Sequence, residues 1–104
     1  MISQQTISHI KTFIKRHSNN NIINIENITY QTYCDDPSYV EGINSSRMII
    51  VKHKLILECR CKDNSFFKGY TELGKMVHIM FRNELIGIDE VAIRYNYSNY
   101  FCKD

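Results

Sequence analysis

Arg47-Met-Ile-Ile-Val-Lys-His-Lys-Leu-Ile-Leu-Glu-Cys-Arg-Cys-Lys62 contains no Gly, Pro, Asn or Asp, so nothing in it invites a turn. Read with period two, Ile49, Val51, His53, Leu55, Leu57, Cys59 and Cys61 fall on one side. Met48, Ile50, Lys52, Lys54, Ile56, Glu58, Arg60 and Lys62 fall on the other. One side is apolar and the other largely basic, the pattern of a half-buried strand. A helical reading scatters the lysines around the axis and leaves no clean stripe. The stretch is therefore expected as one long strand, with room for a bend at His53. Its hydrophobic content exceeds what an edge needs, which places it centrally in its sheet.

The flanking segments supply the partners. Ser3 or Thr6 can cap a helix running to about Arg16, with Ile7, Ile10, Phe13 and Ile14 as its core stripe. Lys11, Lys15 and Arg16 lie off that stripe, near the end where the macrodipole favours positive charge. One of Asn19 to Asn21 is expected in the left-handed conformation that closes the helix. Ile25 to Tyr33 reads as a strand. Asp35-Asp36-Pro37-Ser38 and Asn44-Ser45-Ser46 read as turns. Thr71 is the expected N-cap of a second helix reaching about Ile86, with Leu73, Val77, Met80 and Phe81 inward and Gly87 closing it. Gly74 within that helix costs about 1 kcal/mol relative to Ala, which points to a close backbone contact. Glu90 to Tyr97 alternates as a last strand, and the tail Tyr100-Phe101-Cys102 is too apolar to be left in water.

The expected fold is a single α+β domain over 1–104, in the order α-β-β-α-β. A mainly antiparallel sheet of three or four strands carries both helices on one face. A chain of 104 residues has single-domain length. Ile and Asn are abundant, Trp is absent, and Ala92 and Pro37 are the sole residues of their kinds. That bias suggests AT-rich coding, as in viral, protist or AT-rich bacterial sources. A net charge of +2 is too small to imply a polyanion partner by itself. No apolar run is long enough for a membrane span, and the N-terminal residues lack the pattern of a signal peptide. Cys34, Cys59, Cys61 and Cys102 are too sparse for a disulfide scaffold. A reduced, intracellular protein, cytoplasmic or nuclear, is expected.

Three constellations carry chemistry. Lys52, Lys54, Arg60 and Lys62 form a basic stripe, and Tyr30, Tyr33, Tyr95 and Tyr97 on neighbouring strands could stack nucleic-acid bases beside it. The competing reading is a solvated sheet face kept soluble by its lysines. Cys59-x-Cys61 with His53 and Cys34 or Cys102 offers metal-ligating types. A C-x-C in a straight strand converges poorly on zinc, however, so thiols packed as small hydrophobes are favoured. Glu58-Cys59-Arg60 at a strand end, with Asp35 or Asp36 upstream, resembles the element order and strand-end signature of restriction-endonuclease-like enzymes. Arg60 stands where that family uses Lys, and Arg does not deprotonate or serve as a compact donor to a nucleophilic water. The resemblance implies a degenerate relative rather than an active nuclease. Double-stranded-RNA-binding domains share part of the element order, but Lys68-Gly69-Tyr70-Thr71-Glu72 offers one lysine and an acid where they cluster lysines.

The leading expectation is a non-enzymatic binding module, a small accessory or viral effector subunit working through protein–protein contacts. Its interface residues are Met48, Ile50, Ile56, Tyr100 and Phe101. The alternative is a nucleic-acid-binding domain using Lys52, Lys54, Arg60 and Lys62. Neither reading assigns a catalytic residue, a metal or a cofactor. The sequence leaves the oligomeric state open, a homodimer included.

Overall fold

The computed structural model describes residues 2–35, 50–63 and 69–97. The first helix, α1 (Gln4–His17), begins where Ser3 Oγ accepts the N–H of Thr6 at 3.1 Å, which satisfies one of the helix's orphan donors. Its buried residues are Thr6, Ile10 and Ile14. Ser18 closes it, with the backbone N–H donating to Ile14 O at 3.0 Å. The Ser18 hydroxyl donates to Lys15 O at 3.1 Å and accepts from Ile22 N at 3.0 Å. Both Asn19 and Asn20 adopt the left-handed conformation, with φ of 54° and 61°, where one such asparagine was expected.

Three strands form the sheet in the order β1-β2-β3: β1 (Ile22–Asp35), β2 (Ile50–Cys61) and β3 (Glu90–Tyr97). The long strand is central, as its composition demands. β1 pairs with β2 antiparallel, but β2 pairs with β3 parallel, so the sheet is mixed rather than mainly antiparallel. The reason lies in the connection. Positions 62–89 contain α2 (Tyr70–Met80), and a helix-containing crossover returns the chain to the end from which β2 started. Alternation in Glu90–Tyr97 is the same for either pairing direction.

α2 is shorter than its sequence suggests. Gly69 occupies the N-cap with no side-chain cap hydrogen bond, and Thr71 lies inside the helix. The helix ends at Met80, with Phe81 N–H donating to Val77 O. Residues 81–87 then turn, so that Leu85 enters the core and Ile88 O meets His78 Nε2 at 2.8 Å. Gly87 supplies positive φ (81°) to that turn rather than closing the helix. The expected close approach at Gly74 is present: a Cβ there would stand 2.6 Å from Val91 O.

Ile10 and Ile14 of α1, Leu73 and Val77 of α2, and Leu55, Leu57, Cys59 and Cys61 of β2 form one buried cluster. Both helices therefore cover the same sheet face. Asn21 seals the junction of the elements, with Nδ2 donating to Tyr70 OH at 2.9 Å and Asp63 O at 3.0 Å. β3 pairs only with Lys54 to Cys61. Thr32 to Asp35 and Ile50 to His53 therefore continue as a two-stranded ribbon, and Val51 is 51% exposed there. The molecule measures 52 × 32 × 22 Å.

Candidate functional site

The sheet face opposite the helices carries the predicted basic stripe, and the ladder surrounds it with acids. Lys54 pairs across strands with Gln31 and Glu90, Ile56 with Thr29 and Ala92, and Glu58 with Asn27 and Arg94. Lys54 Nζ lies 3.6 Å from Glu90 Oε2 and 5.4 Å from the Tyr33 ring centroid. Tyr33 OH donates to the other Glu90 oxygen at 3.1 Å. Arg60 Nε reaches Glu26 Oε2 at 3.0 Å, and Asn27 Nδ2 donates to Glu58 Oε1 at 3.2 Å. Exposed pairs of this kind contribute about 0–1 kcal/mol each. Their functional effect is larger, because Glu26, Glu58 and Glu90 interrupt the positive field that phosphates would need. Lys52 stands opposite Tyr33 in the ladder, and Lys62 lies just past the strand, exposed, its N–H bonded to Asn21 O at 2.9 Å.

Glu26 was hidden from a period-two reading by a bulge. Strict alternation places it with Ile28 and Tyr30 on the helix-covered side. The register slips between Ile25 and Asn27, and the extra residue turns toward Arg60.

Of the expected protein-interface residues, Ile50 is exposed at the ribbon, next in sequence to the exposed Val51. Ile56 is only 4% exposed and is corrected to a core position of the outer face. A central strand has neighbours on both sides, here Thr29 and Ala92 at this position, and that crowds its outer face. Met48, Tyr100 and Phe101 lie outside the described residues.

Among the described residues, the most exposed large apolar side chains lie on α2 and in the turn after it. Ile79 is 65% exposed, Met80 63% and Ile86 85%, with Met76 beside them at 38%. Met80 was expected in the core. The stripe through Leu73 and Val77 is indeed buried, but the helix is apolar around more of its circumference than the sheet can cover. That excess was the available signal: Met76, Ile79 and Met80 follow i, i+3, i+4 spacing on a second stripe.

Cys59 and Cys61 are buried side by side on the helix-covered face. Burial, reinforced by the neighbouring Cys61, pushes the Cys59 thiol up to about 12. Burial also raises Cys61, whose Sγ accepts the Tyr70 hydroxyl at 2.9 Å. Thiols held protonated are poor nucleophiles and poor metal ligands. His53 instead lies against Thr32 Oγ1 at 3.2 Å. No group of three His, Cys, Asp or Glu gathers as a metal site among the described residues.

The nuclease-like pairing of acids is not assembled by the described chain. Asp35 stands opposite Ile50 and Glu58 opposite Asn27, separated along the ladder by about 27 Å at ~3.4 Å per residue. Backbone positions that far apart do not supply ligands to one divalent cation. Asp36 lies outside the described residues. Among the described residues no helix is long and apolar enough to cross a membrane. No family model matches this chain, and no curated protein or solved structure matches it either.

Proposed function

We propose that this chain is a non-enzymatic protein-binding module, an accessory subunit whose partner docks on the outer side of α2 and the turn that follows. The observation that carries this reading is the exposure of Ile79 and Met80 next to Met76 on one stripe of α2, with Ile86 exposed in the turn that follows. Large apolar side chains grouped on one surface mark interaction sites in soluble domains, and methionines adapt their shape to a partner. Ile50 and Val51 expose further apolar surface, one on each face of the ribbon.

The test is the double substitution Ile79→Lys with Met80→Lys. Both side chains are mostly in solvent, so stability should change by less than about 1 kcal/mol. A partner retained by the wild-type chain in high salt should be lost by the variant, and should be kept when Lys52 and Lys54 are changed to Gln. A partner held equally by the wild type and the double variant would refute the assignment of the surface.

A further inference from the structure

In the basic stripe of β2, Lys54 is paired with Glu90 and Arg60 with Glu26, whereas among the described residues the cations of α1 have no such acids beside them. No acidic residue occurs before Glu26. Lys11, Lys15 and Arg16 project from the exposed side of α1, and among the described residues none of them has an ion-pair partner. With Ser8, Thr12, Asn19 and Asn20 they line a shallow concavity of about 650 Å³. All of these side chains are exposed. Remove the three cations and the rest of the chain holds ten cations against eleven acids. The positive balance of the molecule is thus located on this helix.

The macrodipole explains only part of it. Lys15 and Arg16 lie in the last turn, where about half a negative charge on the free carbonyls favours cations. Lys11 lies a turn earlier, beyond the reach of that effect, and three whole charges exceed the half charge opposing them. The other side of α1 is committed to the core through Ile10 and Ile14, so the helix has no apolar face left for inserting into a lipid surface.

We propose that the Lys11, Lys15 and Arg16 face of α1 is a binding site for the phosphodiester backbone of duplex nucleic acid. Lys and Arg, hydroxyls and carboxamides are the side chains that contact phosphates without reading sequence. Lys11 and Arg16 are separated by about 7.5 Å along the helix axis, roughly two phosphate steps of one strand at about 3.4 Å each. Among the described residues no aromatic side chain lines the concavity, so they offer no stacking platform of the single-strand kind. Binding is therefore sequence-independent, weak and strongly dependent on salt.

Fluorescence anisotropy with 20-base-pair DNA and RNA duplexes, read across a salt series, tests this site. Three neutralised phosphates give a slope of about −2.7 in log affinity against log salt on B-DNA. Changing Lys11, Lys15 and Arg16 together to Gln should remove nearly all of that slope, and each single change about 0.9 of it. Lys52→Gln with Lys54→Gln should leave it unchanged. If the triple variant melts early, the single variants decide the matter. The proposal is overturned if neither duplex binds at about 50 mM salt, where such contacts are strongest. It is also overturned if the sheet variant, rather than the helix variants, removes the slope. Co-sedimentation with phosphatidylserine vesicles in the absence of duplex binding would reassign the face to anionic membranes.

Discussion

Gly74 is where a single missing atom allows α2 to lie against β3. A Cβ at this position meets the backbone oxygen of Val91 at 2.6 Å, and that oxygen belongs to a paired strand that cannot swing aside. Ala is otherwise the better helix former by about 1 kcal/mol. Forcing a methyl into a packed interface costs about 1–3 kcal/mol. The clash is with backbone rather than with a flexible side chain, so the upper part of that range applies. Gly74→Ala should lose about 1–2 kcal/mol net, seen as an earlier urea midpoint or a melting temperature lower by about 5–15 °C. A neutral or stabilised variant would mean that helix and strand do not approach this closely. The sequence announces this position because a glycine inside an apolar helix has no other evident use.

β2 shows how far alternation carries and where it stops. Leu55, Leu57, Cys59 and Cys61 are buried as the period-two reading requires, while Val51 and His53, on the same side, are exposed. Alternation reports which way a side chain points, not whether anything is there to cover it. The helices cover only the second half of the strand. Ile56 breaks the pattern from the other side, because a central strand crowds its outer face as well. The bulge that exposes Glu26 to Arg60, and the parallel pairing of β3, depend on non-local geometry that no local pattern encodes. The two faces of β2 nevertheless differ in tolerance. Leu57 is 1% exposed, and Leu57→Asp places an uncompensated charge in the core, at a cost of about 3–5 kcal/mol or more. That is about a third or more of the total stability of a domain near the middle of the usual range of about 5–15 kcal/mol, and all of it near the lower end. Lys54→Glu loses a pair with Glu90 and gains a repulsion, both in partly solvated positions, for about 1 kcal/mol or less. Circular dichroism melts of the two variants should therefore differ sharply, and equal damage would contradict the one-sided helical layer.

At the scale of the whole molecule, the chain divides into a body and an arm. In the body, Leu55 to Cys61 of β2 has β1 on one side, β3 on the other and both helices against one face. Opening any amide there means breaking the core. The ladder to β3 ends at Lys54 and Glu90, closed by Asp89 N–H donating to His53 O and Asp89 Oδ2 accepting from His53 N–H, both at 2.8 Å. Beyond that clasp, Thr32 to Asp35 and Ile50 to Lys52 have only each other as ladder partners among the described strands, β3 being reached by the Tyr33 hydroxyl at Glu90. Their apolar members Ile50 and Val51 remain about half in solvent, and isolated two-stranded ribbons are marginal in water. Native-state hydrogen exchange should follow this division. The amides of Leu55 to Arg60 should exchange at rates set by global unfolding, and those of Val51 and Cys34 by local opening of much smaller free energy. The difference should persist in Gly74→Ala, which weakens the body and not the arm, so that body amides accelerate while arm amides hardly change. Equal protection of Cys34 and Leu57 would show that the ribbon is stabilised as part of the core, and the division into body and arm would fail.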